Sequence, residues 1–221
     1  TACEAGHMKE KINKDQFIDI AKDNAIVMIG GFLANGTPER LIDLLVDSNV
    51  VDLTLICNDA CYEDRGPGKL IANHQVKKLI TSYVGNNKSV SDQVNEGLLV
   101  VELVPQGTLA EKIRTGGAGL GGVLTPTGIG TLVQNGKKII EIQGRDFLLE
   151  EPLFADIALI GGAVADKFGN LRYIQTMRNF NPVMALAAET VICDPDEIVD
   201  TLDPECVVTP HPLVDYIFEE E

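Results

Sequence analysis

The sequence predicts an α/β fold, a single domain built on a largely parallel sheet flanked by helices. Three observations predict it. Short uninterrupted apolar runs recur along the chain, the pattern of strands buried on both faces. Amphipathic stretches with helix-start signals fall between them, as crossover helices do in such folds. The chain has 221 residues, 45% of them apolar and 23% charged, which suits one globular core and argues against disorder.

The elements follow in order. Residues 14–22 (KDQFIDIAK) read as a short amphipathic helix, and residues 25–29 (AIVMI) as a buried strand ending at Gly30-Gly31. Thr37-Pro38-Glu39 supplies a capping hydroxyl, a proline suited to a first helical turn and an acid near the positive helix end. The helix they start runs over residues 40–47 with Leu41, Leu44 and Leu45 on one face. Residues 53–57 (LTLIC) are the next strand. Residues 73–83 hold a helix or a helix-to-strand unit, and residues 89–96 a polar helix. Residues 98–104 (LLVVELV) form a strand that Pro105 stops, with a short helix at 109–114 and a glycine-rich stretch, TGGAGLGG, at 115–122. Residues 139–142, 157–160 and 188–193 read as further strands. The acidic end, 218–221, reads as a frayed solvated tail.

Charge and cysteine usage bound the function. Lys plus Arg is 18 and Asp plus Glu is 33, a net charge of −15 that nucleic acid and anionic membranes repel. No apolar run reaches the roughly 20 residues that span a bilayer. The opening TACEAGHM lacks the apolar stretch of a signal peptide, and Gly6-His7-Met8 reads as a cloning scar. Cys3 and His7 therefore carry no functional argument, and the folded domain is placed at 9–217. Cys57, Cys61, Cys193 and Cys206 are too few for a disulfide scaffold and read as reduced thiols of a cytoplasmic protein. They form no CxxC pair, so no metal site is expected, and His74 and His211 stand apart from any catalytic or ligating constellation.

The stretch 23–38, DNAIVMIGGFLANGTP, carries the first chemical signal. A strand runs into a loop of Gly30, Gly31, Phe32, Leu33, Ala34, Asn35 and Gly36, and a capped helix follows. Glycine lets a ligand approach the backbone, and a helix N-terminus favours an anion. The spacing is neither G-x-G-x-x-G nor a lysine-bearing phosphate loop, so a nucleotide loop and a tight strand-to-helix turn both remain open. Gly117, Gly119 and Gly122 do space as G-x-G-x-x-G, but outside a proper βαβ unit, and dinucleotide binding is set aside.

Asp23-Asn24, the strand after it, Gly30-Gly31-Phe32 and Gly36-Thr37-Pro38 together resemble the first signature of the family I coenzyme A transferases. The resemblance continues through VELVPQGTLAEKIR at 101–114, GGAGLGGVLTPTGIGT at 116–131, RNFNP at 178–182 and Val208-Thr209-Pro210. It is nearest to the α subunits of the short-chain acyl type. The resemblance implies a coenzyme A transferase fold and a coenzyme A loop at Gly30, Gly31, Phe32, Leu33, Ala34, Asn35 and Gly36. It implies that Gln106 donates to the oxyanion of a tetrahedral intermediate, with Asn58 in support. It also implies a β subunit partner, since the nucleophilic glutamate of a Ser-Glu-Asn-Gly motif is absent from this chain. Glu63, Asp64 and Glu102 are not expected to replace it. Coenzyme A is then a substrate, no cofactor is implied, and an α2β2 assembly is expected. Two alternatives are a non-catalytic coenzyme A- or nucleotide-binding module of the same fold and a sugar-phosphate isomerase. The second would need a base and a basic cluster that the sequence does not offer. Residues 62–69 (YEDRGPGK) depart from the family's glycine-rich pattern, in a region tied to acyl preference.

Overall fold

The computed structural model describes residues 8–162 and 164–220. Residues 1–7, with Cys3, His7 and most of the stretch read as a cloning scar, lie outside the described residues, as does Glu221 at the end of the tail.

The strands are β1 (Glu10–Ile12), β2 (Ile26–Ile29), β3 (Leu53–Asp59), β4 (Val76–Tyr83), β5 (Val100–Leu103), β6 (Val123–Thr125), β7 (Ile139–Ile142), β8 (Arg145–Glu150), β9 (Ala155–Gly162), β10 (Val164–Asp166), β11 (Leu171–Arg172), β12 (Ala188–Pro195), β13 (Ile198–Val199) and β14 (Tyr216–Phe218). The helices are α1 (Lys14–Ile20), α2 (Glu39–Ser48), α3 (Gly68–Ala72), α4 (Lys88–Asn95), α5 (Gln106–Gly117) and α6 (Asn181–Met184). Eight strands form the main sheet in the order β1-β14-β12-β9-β2-β3-β4-β5. Every neighbouring pair in it is parallel.

Helices cover both faces, which is why the strands are continuously apolar rather than alternating. Val27, Ile29, Leu55, Cys57, Leu159 and Ile192 point to one core, shared with Phe17 of α1, Leu41 and Leu45 of α2, Leu70 of α3 and Val90 of α4. Met28, Ile56, Ala158, Ile160, Val191 and Cys193 point to the other, shared with Leu109 and Ile113 of α5 and Met184 of α6. The chain order reverses around β2, with β3, β4 and β5 built outward on one side and β9 added on the other. Open α/β sheets bind ligands outside the carboxyl ends of strands at such a reversal.

The structure corrects several element boundaries. Thr37 does not cap α2. Pro38 holds the cap position, while the single O–H of Thr37 is shared between the Ala34 carbonyl (3.0 Å) and Glu39 (2.9 Å). The helical part expected within residues 73–83 lies before them, as α3, and β4 takes the apolar residues Val76, Leu79 and Ile80 into the sheet. Leu98 and Leu99 are not strand. Their N–H groups bond the Gln93 carbonyl and close α4. The short helix at 109–114 is the middle of a 12-residue α5 that takes in Gln106 and the first glycines of the glycine-rich stretch. Gly116 and Gly117 are needed there because an added Cβ would strike Leu153 and Leu186. Their close approach is therefore intrachain packing. Phe218 does not fray with the tail: it ends β14, is fully buried and pairs with Ile12. Among the described residues, no helix is long and apolar enough to cross a membrane.

Candidate active site

The loop after β2 is built by strain and clamped from outside. Phe32 and Asn35 exchange N–H···O bonds of 3.0 and 2.8 Å, closing a two-residue turn. Its central residues, Leu33 and Ala34, have φ of +44° and +66°. Such turns favour Asn and Gly, and a left-handed L-residue costs roughly 1–2 kcal/mol. The strain persists because neighbours fix the turn. The Asn181 amide, fully buried at the start of α6, donates to the carbonyls of Gly36 (2.9 Å) and Met177 (2.8 Å) and accepts from the Gly161 N–H (3.1 Å). An added Cβ at Gly30 would overlap that amide, so glycine is required for the loop to reach its clamp. The RNFNP block is thus the seat of the loop.

Most backbone donors of this loop are already engaged. The N–H groups of Gly30 and Gly31 bond Leu159 and Asn179 carbonyls, and Leu33 N–H bonds Asp59. Among the described residues, Ala34 and Gly36 are the two loop positions whose N–H groups have no partner in the chain. The start of α2 is likewise occupied: the Arg40 N–H donates to Asp194 of β12 at 3.1 Å, and the Arg40 side chain to the same carboxylate at 2.7 Å. Burial pushes the Asp194 carboxyl above its ordinary range, against the pull of the Arg40 guanidinium. A cavity of about 460 Å³ opens here at the carboxyl ends of β2, β9 and β12, lined by Ala34, Gly36, Arg40, Gly161 and Asp194 among others. The donors left to a ligand in it are few and specific, rather than a general anion cradle.

Gln106 lies beyond the carboxyl end of β5 as the first residue of α5, after Pro105. Its side-chain amide donates to the Asn58 Oδ1 at 2.6 Å. An amide nitrogen carries two hydrogens, so one N–H remains to meet an acceptor in front of the helix, where the dipole also favours negative charge. A space of about 340 Å³ lies alongside, lined by Pro105, Gly107, Thr108 and Glu111 and by residues of 123–127. Asn58 is buried near the end of β3. Its own amide donates to the Asp59 Oδ2 at 2.7 Å, and its backbone carbonyl accepts from the Ser82 hydroxyl at 2.6 Å. Asp59 Oδ2 also accepts the Leu33 N–H at 3.1 Å. Gln106, Asn58 and the loop are therefore joined in one hydrogen-bonded series, and Asp59 is its link.

The other singled-out residues have structural partners. Glu63 accepts from the Ser89 N–H and hydroxyl, Asp64 pairs with Arg65, and Glu102 with Lys78. The 62–69 segment is tied to α2, since Gly66 N–H and Lys69 both bond Glu39. Thr209 of the Thr-Pro element is buried against the Tyr173 hydroxyl at 2.7 Å. His74 sits in the turn between α3 and β4, and the His211 N–H bonds Asn170. Among the described residues, no group of three or more His, Cys, Asp and Glu side chains is arranged to hold a metal ion. Two residues of the site escaped the sequence reading, Asp59 and Asn181. For Asn181 the available signal was the RNFNP block that holds it, and for Asp59 its place directly after Asn58 at the end of an apolar strand.

Known proteins resemble the chain in sequence and in fold. The coenzyme A transferase family model matches residues 15–220. The chain is 54% identical over 201 residues to the acetoacetyl-CoA:acetate/butyrate CoA transferase alpha subunit of Clostridium acetobutylicum, covering 90% of this chain and 92% of that one. It is 50% identical over 198 residues to the acetate CoA-transferase subunit alpha of Escherichia coli K12, covering 89% and 90%. Among solved structures, an acyl-CoA transferase from E. coli O157:H7 superposes with a TM-score of 0.84 at 22% identity over 96% of this chain and 47% of its own. The chain thus spans about half the length of that protein. Glutaconate coenzyme A-transferase from Acidaminococcus fermentans gives 0.81 at 21% identity over 93% and 73%. Those two likenesses are of fold. The sequence match runs through nearly every element described above, and on it the chain belongs to the coenzyme A transferase family.

Proposed function

We propose that this chain is the α subunit of a heteromeric transferase that moves coenzyme A between a short-chain acyl-CoA and a carboxylic acid. The acyl group is acetoacetyl, acetyl or butyryl. The observation that carries the proposal is the 54% identity to an acetoacetyl-CoA:acetate/butyrate CoA transferase alpha subunit over nine-tenths of the chain. The β subunit supplies the nucleophilic glutamate, the two assemble as α2β2, and coenzyme A serves as substrate with no resident cofactor. A cytoplasmic location suits the buried free thiols of Cys57, Cys61 and Cys193.

The chemistry is ping-pong. The partner glutamate attacks the thioester carbon, and the C–S bond breaks to give a mixed anhydride and the CoA thiolate. The thiolate attacks the glutamyl carbonyl, and the C–O bond breaks to release the first acid and leave glutamyl-CoA. An incoming carboxylate runs the steps in reverse. Each attack gathers negative charge on a tetrahedral oxygen. The contribution of this chain is a donor aimed at that oxygen: the free N–H of Gln106, with the other held by Asn58. A neutral amide does this without gaining or losing a proton. Chromatography of products from the co-purified αβ complex, acetoacetyl-CoA and a panel of short-chain acids tests the reading. The expected result is a new acyl-CoA matching the added acid; release of free CoA alone would refute it.

A further inference from the structure

We propose that Asp59 is a positioning residue that sets the direction of the Gln106 amide and, with the same carboxylate, the strained turn at Leu33 and Ala34. The proposal rests on Gln106 acting as the oxyanion donor. The geometry is specific. Asp59 is buried and meets three N–H donors: Leu33 N–H (3.1 Å) and Asn58 Nδ2 (2.7 Å) at Oδ2, and Cys61 N–H (2.9 Å) at Oδ1. A carboxylate offers only acceptors, so it satisfies all three at once. Because the Asn58 Nδ2 is bound there, its Oδ1 must face the other way, and that oxygen receives the Gln106 Nε2 at 2.6 Å. The Gln106 amide is thereby turned nitrogen-forward, with its second N–H free. The Leu33 bond fixes a half-buried turn residue in a left-handed conformation that the backbone does not favour. One carboxylate thus links the loop expected to meet coenzyme A with the donor expected to meet the reacting oxygen.

Asparagine at this position cannot do the same. It has one oxygen for two sides of the network, so its NH2 must face an N–H donor on one of them. Where it faces Asn58, that amide reverses and presents nitrogen to nitrogen at Gln106. Gln106 then loses its anchor or flips, placing a carbonyl oxygen where the transition state needs a donor.

The test is a double-mutant cycle of Asp59→Asn and Gln106→Ala in the αβ complex, read by steady-state kinetics. Gln106→Ala alone is expected to lower kcat roughly 100- to 1000-fold. Asp59→Asn alone is expected to lower kcat by about tenfold to a hundredfold, the effect of misplacing a catalytic group. In the Gln106→Ala background, Asp59→Asn should change kcat by no more than about threefold, because the group it directs is gone. Its rise in KM for acyl-CoA, carried by the Leu33 turn, should persist in both backgrounds. Loss of kcat by the same factor in both backgrounds, or a kcat for Asp59→Asn within about threefold of wild type, would overturn the proposal alone and leave Gln106 as the donor. A Gln106→Ala enzyme within about threefold of wild type would overturn the oxyanion reading and the proposal with it. Should Asp59→Asn not assemble, hydrogen exchange in the wild-type complex decides. The Leu33 and Cys61 amides are expected to exchange at least about tenfold more slowly than unprotected peptide. Unprotected rates at both would overturn the proposal.

Discussion

Gln106 touches no other side chain through its amide but Asn58 among the described residues, so its removal leaves the core intact. Its replacement by alanine should therefore show as a loss of kcat with KM for acyl-CoA little changed, the mark of an interaction made in the transition state. Thermal unfolding of the same variant is expected to match wild type. The cysteines give a second residue-scale prediction. Burial pushes the Cys61 thiol up to about 11, with Asp59 and Glu39 adding to the rise, and raises Cys57 and Cys193 further. The thiolate is the reactive form, so these three should resist iodoacetamide at pH 8 while exposed Cys206 is labelled first among the cysteines of the described residues. Mass spectrometry of the native complex after brief labelling checks this; early modification of Cys57 or Cys193 would contradict it. Asp59 was illegible in the sequence for a physical reason. The apolar run stops at Cys57, so Asn58-Asp59 read as the start of a loop, whereas the strand continues through both residues with their side chains buried.

The long buried strands and the amphipathic helices were legible because each carries enough apolar residues to show a pattern. The short strands were not. β10, β11 and β13 have two or three residues, too few for any periodicity, and exist because neighbours pair with them. β8 begins with two charged residues, Arg145 and Asp146, and declares itself by pairing with β7 across the left-handed Gln143-Gly144 turn and with β6 on its other side. The strained turn after β2 makes a prediction of its own. Ala34→Gly removes a left-handed alanine at the expense of a more flexible unfolded chain, a net gain of about 0.5–1 kcal/mol. The melting temperature should rise by about 1–4 °C, while KM for acyl-CoA increases as the turn loosens. A lowered melting temperature would show that the turn stores no strain. Next to the β1 edge of the sheet, Phe218→Ala should cost about 3–5 kcal/mol as a buried aromatic. Glu219→Ala, which breaks only the exposed pair with Lys11, should cost no more than about 1 kcal/mol. Denaturant titration of both variants separates a structural β14 from a frayed tail.

At the scale of the whole molecule, the sequence reading captured the parallel sheet but not its order, because strand neighbours are chosen by packing across long stretches of chain. β2 lies between β3 and β9, and its partner Ile157 is far from Val27 in sequence. The same scale carries the simplest functional prediction. With no Ser-Glu-Asn-Gly motif, the purified chain alone should not turn over acetoacetyl-CoA with acetate, and activity should appear on adding the β subunit. Turnover by the rigorously purified chain would place the nucleophile within it. The sheet edge has a further consequence, for synthesis. Glu10 of β1 pairs with Tyr216 of β14, a separation of 216 − 10 = 206 residues. At ribosomal rates of roughly 5–20 residues per second, β1 waits about 10–40 s for its partner to be made. For that interval its backbone groups have no strand beside them, since β14 separates β1 from β12 in the finished sheet. The first strand made is thus among the last to dock, and nascent chains stalled before residue 216 should leave residues 10–12 open to proteolysis while β2 to β5 are already protected.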